Sequence, residues 1–159
     1  MIVDELKQLQ KEGKIQEAIQ KATTYLEEHP NDGKVLLETA YLHDRHDMDP
    51  QAVQYYQSAL ETELEDLDRR DALLALGSTY RAVGLYENAR ETLEIGMSEF
   101  PDYNAFYVFF AMTLYNLGDT DLAMEIVMTK LLETTDDESI KQYSRALEFY
   151  ASRLDEVFN

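Results

Sequence analysis

Four alanines recur along the chain at nearly constant spacing. Ala18, Ala52, Ala89 and Ala123 are separated by 34 (52−18), 37 (89−52) and 34 (123−89) residues. A period of this length is typical of helix-turn-helix units, each of which buries its apolar face only by stacking on its neighbours. The spacing therefore predicts an array of helix pairs, with three extra residues between the second and third units, most simply within 61–70.

The composition agrees with a helical array. The 159 residues include only three prolines and six glycines, and 45% of them are hydrophobic. Few turn-forming residues argue against a turn-rich all-β protein and against disorder, and the apolar content is enough to build a core.

The third unit carries the clearest motif. It reads Leu-x2-Leu-Gly-x2-Tyr from Leu73 to Tyr80, then Ala-x3-Leu from Ala89, and it closes at Pro101. This spacing resembles the tetratricopeptide repeat, with Leu73 at the position where that family most often has Trp. The resemblance implies an all-α fold, an α-α superhelix, in a single domain over 1–159. Its predicted repeats are about 1–32, 33–65, 70–103 and 104–135, followed by a capping helix at about 138–158.

The signals that end helices fit the same frame, except in one place. Gly84 and Gly118 lie where a first helix should stop, and Pro30 and Pro101 lie where a second helix should end. The second repeat differs, because the stretch 43–50 replaces the usual glycine-centred turn and ends with Pro50 at the predicted start of a helix.

In tetratricopeptide proteins the first helix of each pair lines the concave, peptide-binding side, and the resemblance implies the same use here. In repeat one the first-helix positions that face away from the partner helix are Val3, Asp4 and Lys7. The predicted partner-binding residues of the later helices are Leu37, Glu38, Tyr41, Leu74, Ser78, Arg81, Val108, Phe109, Met112, Tyr115 and Arg145.

The first helix of repeat four is apolar nearly all round. Val108, Phe109, Met112 and Tyr115 add to the core positions of that helix, and a helix of this kind is normally covered on every side. The sequence leaves three possibilities for what covers this apolar face: the capping helix, a bound partner, or a second copy of the chain.

The formal net charge of −18 disfavours nucleic-acid phosphates and anionic membranes as partners. It indicates either a well-solvated surface or a preference for a partner with basic flanks around apolar or aromatic anchors. Without cysteine the chain has no disulfide and no thiolate site. The longest uncharged stretch, 103–118, is too short to span a membrane. We therefore expect a cytoplasmic protein.

Comparison with the family excludes one class of expected ligand. Some tetratricopeptide co-chaperones hold the C-terminal carboxylate of a chaperone with a clamp of five side chains, which are in chain order Lys, Asn, Asn, Lys and Arg. The matching positions here are Val3, Lys7, Glu38, Asp71 and Ala75, and none of them matches the clamp. A chaperone tail is therefore not the expected ligand.

No nucleophile, phosphate-binding or dinucleotide-binding motif is present. The best candidate for a metal site is the group His43, Asp44, His46, Asp47 and Asp49. These residues fit turn and helix-capping roles equally well. The sequence thus predicts a non-enzymatic scaffold that binds a protein or peptide, without cofactor, metal or catalytic residues. The alternatives are a homodimer formed through repeat four and, more remotely, a metal-dependent activity at the 43–49 turn.

Overall fold

The computed structural model describes residues 1–47 and 49–159. Within them the chain forms ten helices and no strand. The helices are α1 (Ile2–Lys11), α2 (Ile15–Glu28), α3 (Gly33–Asp44), α4 (Asp49–Leu60), α5 (Asp66–Ala82), α6 (Tyr86–Glu99), α7 (Ala105–Asn116), α8 (Thr120–Thr134), α9 (Glu138–Gln142) and α10 (Ser144–Ala151).

Each predicted repeat corresponds to two consecutive helices, from α1 and α2 to α7 and α8. The helices α2 and α6 end two residues before Pro30 and Pro101, as the prolines require. Helix α5 has 17 residues, five more than α3 and α7, which each have 12. The three extra residues of the repeat account for part of this length. The insertion therefore adds about one turn to the N-terminal end of a first helix.

Three of the turns that follow a first helix share one backbone geometry. Gly13, Gly84 and Gly118 have φ of 75°, 83° and 89°, a left-handed conformation that glycine adopts at little cost. The next N–H then donates to the carbonyl oxygen five residues back, at 2.8 to 2.9 Å, in the pairs Lys14–Leu9, Leu85–Tyr80 and Asp119–Leu114. This hydrogen bond is the one that ends a helix in the Schellman motif.

The turn of repeat two has a left-handed residue that is not glycine. Asp47 has φ of 59° and lies 34 residues after Gly13 and 37 before Gly84, so it takes the position that glycine holds in the other repeats. A short polar side chain is the least costly substitute for glycine in this conformation. The weak turn motif of repeat two therefore still supports the turn.

The chain divides into two compact units, Met1–Leu85 and Tyr86–Asn159. In the first unit α1, α2 and α3 pack on one another, α4 packs on α3, and α5 packs on α4. One cluster of its core comprises Leu6, Ala18, Ala22, Val35 and Leu42, all nearly inaccessible to solvent. The repeated alanines Ala18 and Ala52 are fully buried, because a small side chain lets the neighbouring helix approach closely.

In the second unit α7 packs between α6 and α8. Phe106, near the start of α7, is fully buried. A Cβ atom built on Gly96 of α6 would overlap the Phe106 ring, so glycine at this position makes room for the aromatic side chain. The rings of Phe100 and Tyr103 lie 6.4 and 5.6 Å from that of Phe106 and complete an aromatic cluster at this end of α7.

The C-terminal end differs from the single capping helix predicted at about 138–158. The structure has two short helices, α9 and α10, interrupted at Tyr143, and the second helix ends at Ala151. Helix α10 packs on α8. The single domain predicted over 1–159 is not tested by this division and stays a prediction.

Candidate partner-binding surfaces

A pocket of about 320 Å³ opens on the first unit, where side chains of α1, α3 and α5 meet. We call it the Glu38 pocket. Six first-helix positions expected from the sequence contribute to its wall: Val3, Asp4, Lys7, Leu37, Glu38 and Tyr41. The structure thus brings the predicted positions of repeats one and two to one place.

The sequence reasoning missed two charged side chains of this wall, Lys34 and Asp68. Lys34 lies one helical turn before Glu38, and this i, i+4 spacing was a signal that could have found it. Asp68 belongs to the extra turn of α5. A frame of 34 residues has no position for that turn, so only the lengthened helix reveals Asp68.

Glu38 is the most unusual residue of the pocket. Its side chain is only 6% exposed, and its Oε2 lies 3.9 Å from Nζ of Lys7, while its Oε1 has no hydrogen-bond partner. Burial raises the pKa of the carboxyl, and the positive charges of Lys7 and Arg45 only partly oppose this. A buried carboxylate oxygen without a donor lowers the stability of the fold.

Tyr41 forms another part of the wall, and the pKa of its hydroxyl is affected by the charges around it. Burial raises the pKa of its hydroxyl to about 12, and the negative charges of Asp71, Asp68 and Glu38 act in the same direction. Its ring meets that of Tyr56 edge to face at 5.8 Å. The surroundings of this side chain are therefore apolar and on balance negatively charged.

The predicted residues of repeat three lie along α5. Leu74, Ser78 and Arg81 are half-buried, and their i, i+4, i+7 spacing places them on one face of the helix. Whether this face binds a partner stays a prediction.

In the second unit, an apolar stripe remains open to solvent on α7. Val108, Met112 and Tyr115 are 41%, 36% and 65% exposed and lie at i, i+4 and i+7 on one helix face. We call these three residues the α7 stripe; Phe109 beside them is half-buried. The predicted Arg145 lies on α10 and is exposed.

A second exposed stripe lies on α8. Met124, Val127 and Leu131 have i, i+3, i+7 spacing, and more than two fifths of each side chain is accessible. The repeat spacing, which the sequence analysis followed through Ala123 of this helix, gave no sign of this exposure. Burial depends on which neighbour covers the helix, and a single repeat does not encode that neighbour.

Side chains at the start of the 43–49 turn contact side chains of α4. His43 is only 7% exposed and stacks on Tyr55 at 5.1 Å, and the hydroxyl of Tyr56 donates to Oδ2 of Asp44 at 2.7 Å. Met48, within this turn, lies outside the described residues. Over 1–47 and 49–159, no three His, Asp or Glu side chains are arranged so that they could hold a metal ion.

The comparisons with known proteins agree with this architecture. The model of the tetratricopeptide repeat family matches residues 33–154, so the chain belongs to that family. The all-α fold class predicted from the sequence is thereby confirmed, and the solved structures below share it.

Among solved structures, the chain is similar to one in the crystal structure of the APC/C hetero-tetramer Cut9–Hcn1, with a TM-score of 0.70 and 17% identity over 94% of this chain and 29% of that one. It is also similar to a tetratricopeptide repeat protein from Parabacteroides merdae ATCC 43184, with a TM-score of 0.60 and 18% identity over 97% of this chain and 61% of that one. The chain thus spans less than two thirds of either structure, and identities this low show the fold alone. No curated protein matches the sequence.

Tetratricopeptide repeats are generally modules of protein–protein interaction and not enzymes. The family membership therefore supports a protein-interaction scaffold as the broad function of this repeat array. In the described part of the chain, no helix combines the length and apolar character that crossing a membrane requires.

Proposed function

We propose that this scaffold binds a protein segment that has apolar or aromatic anchors flanked by basic residues. The observation that carries the proposal is the α7 stripe, three large apolar side chains in a row on the surface of a strongly acidic chain. Continuous apolar surface of this kind is typical of interaction sites.

The α7 stripe has the spacing that an amphipathic helix or an apolar peptide recognises. Helix α7 is held by α6 and α8, with Phe106, Phe110 and Leu114 buried, so the stripe is presented on a rigid element. Burying its three side chains contributes about 1.5 kcal/mol or more for each, before the cost of association. Such a contribution supports a moderate affinity that additional polar contacts can increase.

Charge gives the flanks of the partner their chemistry. The formal net charge of −18 attracts Lys and Arg and repels acidic segments. Helix α7 itself carries no charged residue, so the apolar anchors and the basic flanks are recognised by different parts of the surface. The absence of nucleic-acid and membrane partners, and the cytoplasmic location, stay predictions from the sequence.

A homodimer is the second candidate, and the two exposed stripes on α7 and α8 favour it because both lie on one unit. Two copies that each carry a charge of −18 repel each other, and this repulsion opposes the homodimer. A partner protein of opposite charge is not repelled.

The test compares the wild-type protein with Met112→Asp and Tyr115→Asp in affinity capture from extract of the source cells. The matched control is Tyr143→Asp, which changes an equally open aromatic side chain outside α7. We expect both α7 variants to keep their helical circular dichroism and to lose a protein that the wild type and the control retain.

Sedimentation velocity separates the two candidates. A wild-type protein of 18.4 kDa that sediments as a monomer up to high concentration excludes the homodimer. A wild-type dimer that Tyr115→Asp dissociates, with identical capture lists for all variants, would replace the scaffold proposal with the homodimer.

A further inference from the structure

We infer that the Glu38 pocket recognises the cationic nitrogen of a Lys or Arg side chain on the protein partner, with the Glu38 carboxylate as its acceptor. The inference rests on the proposed function, and it names the residue of the first unit that selects a basic side chain of the protein partner.

The first argument is the unpartnered oxygen. The Glu38 side chain is more than nine-tenths buried, it lines a pocket of about 320 Å³, and its Oε1 has no hydrogen-bond donor. Buried polar atoms are nearly always paired in folded proteins, and those that are not require an explanation. An N–H group brought by a ligand supplies the missing donor.

The second argument is that no nearby cation of the chain donates a hydrogen bond to Oε1 of Glu38. Nζ of Lys7 lies 3.9 Å from Oε2, beyond hydrogen-bond distance, and the Lys7 side chain is half-exposed. Nζ of Lys34 donates to Oε1 of Glu65 at 3.2 Å. The guanidinium of Arg45 donates to Oε1 of Gln10 at 3.2 Å.

The third argument is the character of the wall. Asp4 on α1 and Asp68 on α5 line the pocket with Glu38 of α3, so three helices each bring one carboxylate. Tyr41 adds an aromatic ring and Leu37 an apolar side chain, which suit the aliphatic stem of a long basic residue. Lys7, Lys34 and Met1 also line the pocket, so its wall carries charges of both signs. An apolar ligand would leave Oε1 of Glu38 unpaired.

The experiment begins with selection of a displayed library of random 12-residue peptides on the wild-type protein. The best sequence is then synthesised with a free N-terminus and with an acetylated one. The acetylated peptide is also made with its basic residue replaced by norleucine or citrulline. Binding of all these peptides is measured by fluorescence anisotropy on the wild type and on Glu38→Gln. The control is Glu27→Gln, which removes one charge from an exposed position on α2.

We expect the selected peptides to share one Lys or Arg. Glu38→Gln should weaken binding at least tenfold, while Glu27→Gln leaves it unchanged. The neutral peptide should bind the wild type and Glu38→Gln equally, because the partner charge that Glu38 recognises is then absent. Circular dichroism of Glu38→Gln, expected to be that of the wild type, shows that the loss is not unfolding. Asp68→Asn should give a smaller loss in the same direction.

Selected peptides without a common basic residue, or equal affinity of the wild type and Glu38→Gln, would overturn the inference. Binding that is lost on acetylation, and not on replacement of the basic residue, would also overturn it by assigning the cation to a backbone amine. If such peptides still lose binding with Tyr115→Asp, the proposed function stands without this inference. If no peptide binds the wild type, the proposed function fails as well.

Discussion

Nζ of Lys7 on α1 lies 3.9 Å from Oε2 of Glu38 on α3, whereas the other oxygen of the same carboxylate is buried without a partner. Only one of the two oxygens of the Glu38 carboxylate therefore has a positive charge nearby as its partner. Residues that lower the stability of a fold are typical of functional sites, where binding supplies what the free protein lacks.

Glu38→Gln is expected to stabilise the free protein at neutral pH by about 1 kcal/mol, the lower end of the cost of an unsatisfied buried group. Burial raises the pKa of the Glu38 carboxyl above its usual 4.5. The contribution of Glu38 to stability is therefore fully present below pH 4.5 and is lost as the pH rises through the raised pKa. The difference in the free energy of unfolding between variant and wild type, measured by urea unfolding, should become smaller towards pH 4. A variant less stable than the wild type at pH 7.5 would contradict this account.

His43→Phe is expected to reduce the acid sensitivity of the fold. Burial lowers the pKa of His43 below its usual 6.5, so its contribution is present above pH 6.5 and is lost as the pH falls through the lowered pKa. Phe keeps the stacking on Tyr55 and cannot be protonated. Between pH 7 and 5 the stability of the variant relative to the wild type should rise by on the order of 1 kcal/mol. The same substitution at the exposed His29 is the control, and equal slopes for wild type and His43→Phe would refute the prediction.

Asp47→Gly is expected to stabilise the turn between α3 and α4 by about 0.5 to 1 kcal/mol, because Asp47 has φ of 59°. Asp47→Ala should have the opposite effect, since alanine loses the local polar compensation that aspartate has in this conformation. Thermal unfolding of the three proteins checks the order. An Asp47→Gly variant less stable than the wild type would show that the aspartate side chain holds the turn.

Gly96→Ala is expected to destabilise the second unit by about 1 to 3 kcal/mol, because the new methyl group overlaps the ring of Phe106. Ser98→Ala, at an exposed position of the same helix, should change stability little. Combining Gly96→Ala with Phe106→Leu should recover part of the loss, since the smaller side chain leaves room for the methyl group. Strictly additive effects would mean that the two residues do not share the space.

Much of the architecture could be predicted from the sequence. The recurrence of Ala18, Ala52, Ala89 and Ala123 defined the helix pairs, because a small side chain is needed at the same contact in every repeat. The positions Leu37, Glu38 and Tyr41 were predicted to face a partner, and they meet in one pocket. Their role in binding remains a prediction. The break at Tyr143 could not be anticipated, since no glycine or proline marks it.

The sequence by itself determined the repeat, the helix pairs and the acidic surface, because spacing, small residues and net charge are local or additive properties. Only the tertiary structure decided which side chains remain open and which are buried. It left Val108, Met112 and Tyr115 in solvent, and it buried the Glu38 carboxylate with one oxygen unpaired. The physical reason is that burial is set by the neighbouring helix, whose approach depends on contacts between residues far apart in the chain.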